Sequence, residues 1–148
     1  MVGRKVGILF ADGSAKSEIL ALRERVAAAG ATAVLIAPQL LGVATKGGKL
    51  DADGQLAGTP SVTVDAIALM LTHEAATALC ADSAAVQFVM DAFGHLKAIG
   101  HTSGATALLD KAGVVADEGV TALGPEFIVA ASRRFYARES RASSTNPA

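Results

Sequence analysis

A chain of 148 residues, 51% of them hydrophobic, can form one domain that buries roughly 70% of the surface its unfolded form exposes. Much of the apolar content is alanine, no apolar run approaches the ~20 residues that span a bilayer, and no basic segment followed by an apolar core opens the chain, so it reads as soluble and unexported, without a membrane partner. A net charge of −1 with both signs interspersed, 4% aromatic residues and no tryptophan exclude both the electrostatic footprint and the base-stacking platform of a nucleic-acid binder.

Residues 5 to 11, KVGILFA, form a short apolar run bounded by Asp12 and Gly13, which predicts a buried parallel strand. A helix follows, with Ser14 as its N-cap, Ile19, Leu22 and Val26 on the inner face, Lys16, Arg23 and Glu24 in solvent, and Gly30 as its stop. Residues 33 to 37, AVLIA, make a second strand ended by Pro38, and strand, helix, strand is the βαβ signature. Gly42 to Gly58 is rich in Gly, Asp and Lys and predicts a turn or small hairpin projecting from the sheet. Residues 65 to 72, DAIALMLT, form a third strand ending at His73 and Glu74. A helical region comes next. Its second part is capped by Asp82 or Ser83 and carries Val86, Val89, Met90 and Phe93 as a core stripe. Lys97 to His101 is a fourth strand, Gly104 to Lys111 its helix and Val120 to Leu123 a fifth strand. Pro125 then opens a last helix that turns Phe127, Ile128, Ala131 and Phe135 inward. The expected fold is α/β, a flavodoxin-like three-layer sandwich with about five mostly parallel strands. It occupies residues 1–138 as one domain, and the polar, aperiodic residues 139–148 form a disordered tail.

The motif search removes more chemistry than it supplies. The loop ADGSAKSE after the first strand has one glycine, so it carries neither the spaced glycines of a dinucleotide fingerprint nor the Lys-Ser/Thr of a phosphate loop. Asp12 lacks the acidic partners of a phosphoacceptor and belongs to an Asp-Gly turn. Asp51 and Asp53 are spaced as in a calcium loop whose other ligands are missing. His73, Glu74 and His101 fall at neighbouring strand ends, but their spacing matches no metal motif, and His95 is helix-terminal or exposed. The single cysteine, Cys80, rules out an intramolecular disulfide and fits a reducing, cytoplasmic setting. With no helix N-terminus or cation beside it, Cys80 is a small core residue. No metal or cofactor site is expected in this chain.

The strand-turn-helix AIGHTSGA, with the order of elements around it, resembles the class I glutamine amidotransferase-like superfamily, which includes the intracellular proteases and the parkinsonism-associated deglycases. The resemblance implies that Gly100 fills the position of the nucleophilic cysteine, that His101 matches the histidine after it, and that Glu18 corresponds to the acid that contacts the thiolate. Glycine adopts freely the strained elbow geometry that costs other residues about 1–3 kcal/mol, so Gly100, His101 and Glu18 would form a vestigial elbow with no catalytic residue.

A closer resemblance covers about Arg4 to Arg138. RKVGILFADG, LIAP, KLDADGQLAGTPSVTVDAI, FVMDAFGHLKAIGHTSGA, LLDKAGV and DEGV look like the C-terminal domain of large-subunit catalases. That family places this domain after a haem-binding barrel, so the resemblance implies a parent polypeptide that binds haem and decomposes hydrogen peroxide. This chain would be a non-catalytic part of it, partnered by the haem domain and the other subunits, supporting oligomer assembly and stability and restricting access to the haem channel. The chain itself carries none of that machinery: its one tyrosine, Tyr136, sits beside the polar tail. Two alternatives stand beside this reading. One is a chaperone-like holdase for unfolded clients. The other is residual small-molecule binding or hydrolysis at the strand ends through Glu18, His73 and His101.

Overall fold

The structure, a computed structural model, describes residues 3–135. The expected domain end at residue 138, the tail 139–148 and Tyr136 lie outside the described residues. Six strands form the main sheet: β1 (Lys5–Phe10), β2 (Thr32–Ala37), β5 (Gly54–Gln55), β6 (Ala66–Met70), β7 (Ala98–His101) and β8 (Val120–Ala122). Their order is β5-β2-β1-β6-β7-β8, and every neighbouring pair is parallel. The strand beyond the expected five is β5, two residues that continue the sheet past β2.

Helices cover both faces. On one side Val6, Ile8 and Phe10 of β1 pack under Ile19, Leu22 and Val26 of α1 (Lys16–Ala28) and under Phe127 of α5 (Pro125–Ala130). On the other, Leu9, Ile67, Leu69 and Ile99 meet Phe88 and Val89 of α3 (Ser83–Gly94) and Leu108 of α4 (Thr106–Lys111). This period-two division of side chains between two buried faces is what a parallel sheet covered on both sides requires. Among the described residues no helix is long and apolar enough to cross a membrane.

Local chemistry sets the boundaries. Gly30 ends the α1 region with φ +86°, and the Ala31 amide donates to Val26 O at 3.1 Å, a left-handed stop suited to glycine. Asp82 caps α3, its Oδ1 accepting from the Ala84 and Ala85 amides. Pro125 is the first residue of α5, but that helix stops at Ala130, so Phe135 reaches the core from a segment outside any helix, its amide donating to Leu96 O.

Three local expectations are corrected. Ser14 is not the cap of α1, whose N-cap position is Ala15 with no side-chain bond; the 3% exposed Ser14 hydroxyl instead accepts from Ala11 N and donates to Met70 O. The third strand stops at Met70, because Thr72 Oγ1 accepts from Ala75 N and opens α2 (His73–Leu79), leaving His73 and Glu74 at the start of a helix. The α3 stripe is displaced by one residue: Ala85, Phe88, Val89 and Ala92 are buried, whereas Met90 is 45% exposed.

The expected hairpin exists as β3 (Val43–Thr45) and β4 (Gly48–Leu50), paired antiparallel. Rather than standing free, it bonds back onto the loop after β1. Gly13 N donates to Ala44 O, Lys46 N to Ser14 O, and Lys16 N to Lys46 O. The hairpin thereby satisfies a donor at the uncapped start of α1.

Candidate functional site

In open α/β sheets, ligand sites lie beyond the carboxyl ends of the strands where the strand order reverses. Here that point is between β1 and β6, whose continuations frame a pocket of about 140 Å³ lined by Gly13, Ser14, Glu18, Leu71, Thr72 and Thr102. Each hydroxyl at this pocket is already used by the backbone. Ser14 bridges Ala11 and Met70, Thr72 caps α2, and Thr102 Oγ1 accepts from Leu71 N and donates to Leu71 O at 2.7 Å. They act as staples between strand ends. Glu18 stands exposed at the pocket edge and makes no ion pair among the described residues.

Gly100 is not at the apex of a turn. It lies inside β7, buried, paired with Ala68 on one side and Thr121 on the other, and its φ is outside the left-handed region. The chain stays extended through His101 and turns only at a 3-10 segment, Ser103–Ala105. Ala66, Ala68 and Ala98 share the face of Gly100 and form a lane of small residues under Phe127. A Cβ on Gly100 would lie 2.5 Å from Leu123 Cδ2 and 2.5 Å from Phe127 Cδ1. The space a nucleophilic side chain would need is occupied by Phe127 of α5 and by Leu123, two residues ahead of that helix. A second glycine is required for a different reason. A Cβ on Gly104 would meet backbone atoms, Leu71 O at 2.6 Å and His73 N at 2.7 Å, so the turn after β7 packs directly on the chain leaving β6.

The remaining candidates do not converge. His101 Nδ1 is 2.9 Å from Thr102 O; since a carbonyl only accepts, Nδ1 carries the proton in this contact. His73 begins α2 and His95 follows α3, both exposed. Cys80 caps the end of α2, its sulfur 3.3 Å from Ala76 O and 3.4 Å from Ala107 O, so its one S–H is shared between two backbone carbonyls. Asp12, Asp51 and Asp53 accept from the amides of Ala44, Gly42 and Leu35, so all three hold loops. Among the described residues no group of three or more His, Cys, Asp or Glu is arranged to hold a metal ion.

Two charged features at the opposite, amino-terminal end of the sheet escape sequence reasoning. Asp65 accepts from Lys5 N at 2.8 Å and from Arg134 Nη2 at 3.2 Å, with Arg4 Nη1 at 3.8 Å. Partial burial alone would raise its pKa, but the Lys5 amide, the Arg134 hydrogen bond and the two guanidinium charges outweigh that and leave it below the usual carboxylate value. Lys97 is 5% exposed, and its Nζ donates to Ser61 O at 2.8 Å and Val64 O at 2.6 Å. Burial pushes its pKa down and the Arg134 charge adds to this, against opposing pulls from Asp65 and Asp91.

This architecture is the fold of the DJ-1 and ThiJ/PfpI proteins. An oxidized DJ-1 of Toxoplasma gondii superposes with a TM-score of 0.68 over 88% of this chain and 87% of its own, at 17% identity. A DJ-1 superfamily protein of Salmonella typhimurium does so with a TM-score of 0.68 over 95% and 91%, at 18% identity, a likeness of fold alone. The chain belongs to the family described as the C-terminal domain found in long catalases, whose model matches residues 2–127. Catalase C of Rhizobium meliloti is 41% identical over 124 residues, 82% of this chain and 18% of that protein. Catalase HPII of Pseudomonas aeruginosa is 36% identical over 118 residues, 79% of this chain and 17% of that protein. The chain thus spans less than a fifth of the length of these relatives.

Proposed function

We propose that this chain is the non-catalytic C-terminal domain of a long haem catalase and that it supports assembly and stability of the parent oligomer. The observation that carries the non-catalytic reading is the packing at Gly100. The equivalent of a nucleophile is a glycine, and the volume a thiol would occupy belongs to Leu123 and Phe127. On this reading Glu18 and His101 are retained without a thiol to serve.

The parent's peroxide chemistry would lie outside this chain. Catalase haem iron is held by a tyrosinate, and residues 3–135 contain no tyrosine. The larger groove of the domain is bordered by Asp12, Glu74 and Asp82, a poor match for two haem propionates. The described residues do not fit haem. The names of the relatives favour the accessory-domain reading over a holdase for unfolded clients, since each is a catalase by name.

The test is removal of this segment from the full-length polypeptide. Loss of oligomer on size exclusion with light scattering, or a lower midpoint of thermal inactivation of peroxide turnover, is the expected result. Unchanged assembly and unchanged heat resistance would overturn the structural role. The isolated chain should show neither a Soret band after incubation with haem nor peroxide turnover.

A further inference from the structure

Beyond α5 the chain crosses the amino-terminal end of the sheet and is tied down at two points. Ser132 and Arg133 are exposed, and their amides make only turn bonds, to Val129 O and Ala130 O. Arg134 then reaches the residue ahead of β6, its Nη1 donating to Asp65 O and its Nη2 to Asp65 Oδ1, each at 3.2 Å. The Phe135 amide donates to Leu96 O at 2.8 Å, two residues ahead of β7, and Phe135 is 3% exposed with the Arg133 guanidinium 5.4 Å from its ring centroid. The acceptor is itself unusual, since Leu96 has φ +66°, a conformation that is costly for a leucine.

The charges at the first anchor are unbalanced. Arg4 Nη1 lies 3.8 Å from the same Asp65 Oδ1 that Arg134 binds, and the Lys5 amide donates to Oδ2. Lys97 of the neighbouring strand feels both Arg134, which disfavours its charge, and Asp65, which favours it; Asp91 of α3 is the second acid acting there. Three cationic side chains therefore depend on one shared carboxylate. The strands beneath are held differently, because β1, β6 and β7 each have a strand neighbour on both sides. Segments fixed by few connections open at lower free energy than the sheet they lie on. We infer that residues 132–135 form a strap that opens while the sheet stays folded, and that the Asp65 carboxylate is the group holding it shut. Opening frees Leu96 O and exposes the Phe135 ring. Neutralising Asp65 leaves Arg134 facing Arg4 and Lys97 without its counter-charge, so acid releases the strap.

The experiment measures hydrogen exchange of single amides in the intact 148-residue chain by NMR, as protection factors. Ile99, fully buried and donating to Gly119 O, is the reference for the sheet. Protection at Phe135 should be at least about tenfold below that at Ile99, and low urea should speed exchange at Ile99 more than at Phe135, because a strap exposes little surface. Asp65→Asn and Arg134→Gln should each lower protection at Phe135 about tenfold, the scale of a hydrogen bond to a charged group. Leu108→Ala, in the core on the other face, should lower protection at Ile99 and leave Phe135 unchanged. Lowering the pH from 5 to 3 should reduce protection at Phe135, and reduce it less in Asp65→Asn, since Asp65 stays charged to below the ordinary carboxylate value. Equal protection and equal urea response at Phe135 and Ile99 in the parent chain would overturn the inference without any variant. So would unchanged protection at Phe135 in Asp65→Asn and Arg134→Gln, or equal acid sensitivity with and without the carboxylate. None of these outcomes depends on whether the domain stabilises a catalase.

Discussion

Gly100 and Phe127 share one volume: a β-carbon built on the strand glycine would sit 2.5 Å from the phenyl Cδ1 of the last helix. Full burial of such a ring stabilises the fold by about 1.5–3 kcal/mol, so Phe127 will not yield the space cheaply. Gly100→Cys should therefore lower stability by about 1–3 kcal/mol, the range for overpacked cores, in urea unfolding monitored by circular dichroism. The new thiol should react with a thiol reagent only as fast as the domain unfolds. In a double-mutant cycle, Phe127→Ala should recover part of the loss caused by Gly100→Cys, and strict additivity would show that the two positions do not compete.

Gly104 tests a contact with no side chain to move. Its would-be Cβ faces Leu71 O and His73 N, so Gly104→Ala must push two backbone segments apart. A loss of about 1–3 kcal/mol is expected from forced overpacking. Amide exchange should speed up at Ala75, whose donor is held by Thr72 Oγ1, and at Thr102, whose amide bonds Leu69 O.

Asp65 predicts an acid-sensitive term. Its folded pKa lies below the ordinary value, so the folded state favours the carboxylate and binds fewer protons than the unfolded chain. The stabilisation is present at neutral pH and is lost as pH falls below about 4 and through the lower folded pKa. Asp65→Asn should cost about 1.5 kcal/mol at pH 7, the lower end for hydrogen bonds to charged groups because the carboxylate is partly exposed. The variant should show a shallower fall in melting temperature between pH 5 and 3 than the parent chain, roughly the window in which a carboxylate of ordinary pKa titrates.

Lys97 predicts a dependence of the same sign at the other end of the scale, with the neutral form as the one the fold favours. A lysine whose folded pKa is depressed binds fewer protons when folded, so its contribution rises with pH from the folded pKa up to the unfolded value near 10.4. Lys97→Met keeps the aliphatic stem but removes the donor to Ser61 O and Val64 O. A loss of about 1–3 kcal/mol is expected at pH 7 for buried acceptors left unpaired. The gap to the parent chain should widen between pH 8 and 10, inside the window below the ordinary lysine value. A constant gap would show that the amine does not titrate in that window.

The five expected strands, the hairpin, a cap at Asp82 or Ser83 and the Pro125 start are legible in the sequence because each depends on residues within a few positions of one another. What could not be read depends on partners far along the chain. Ser14 looks like a cap until Met70, 56 residues away, is seen to accept its hydroxyl proton. Lys97 stands just before an apolar strand, with no local sign that carbonyls 33 and 36 residues earlier accept from it. The displaced α3 stripe has a simpler cause. SAAVQFVMDAFG is apolar almost all round, so two stripes offset by one residue both satisfy the helical period. At the elbow, the missing nucleophile is evident from one letter, but the straightness of β7 and the packing of Phe127 against it are not.

Arg4 and Arg134 approach the same carboxylate oxygen, Asp65 Oδ1, at 3.8 and 3.2 Å. The point where the backbone enters the sheet and the point where it leaves the last helix are therefore held side by side. A unit with entry and exit together can be joined to a larger protein through one small contact patch, without stretching a connection across its surface. The same closeness suits the fold to circular permutation, with a short bridge over the Asp65 cluster.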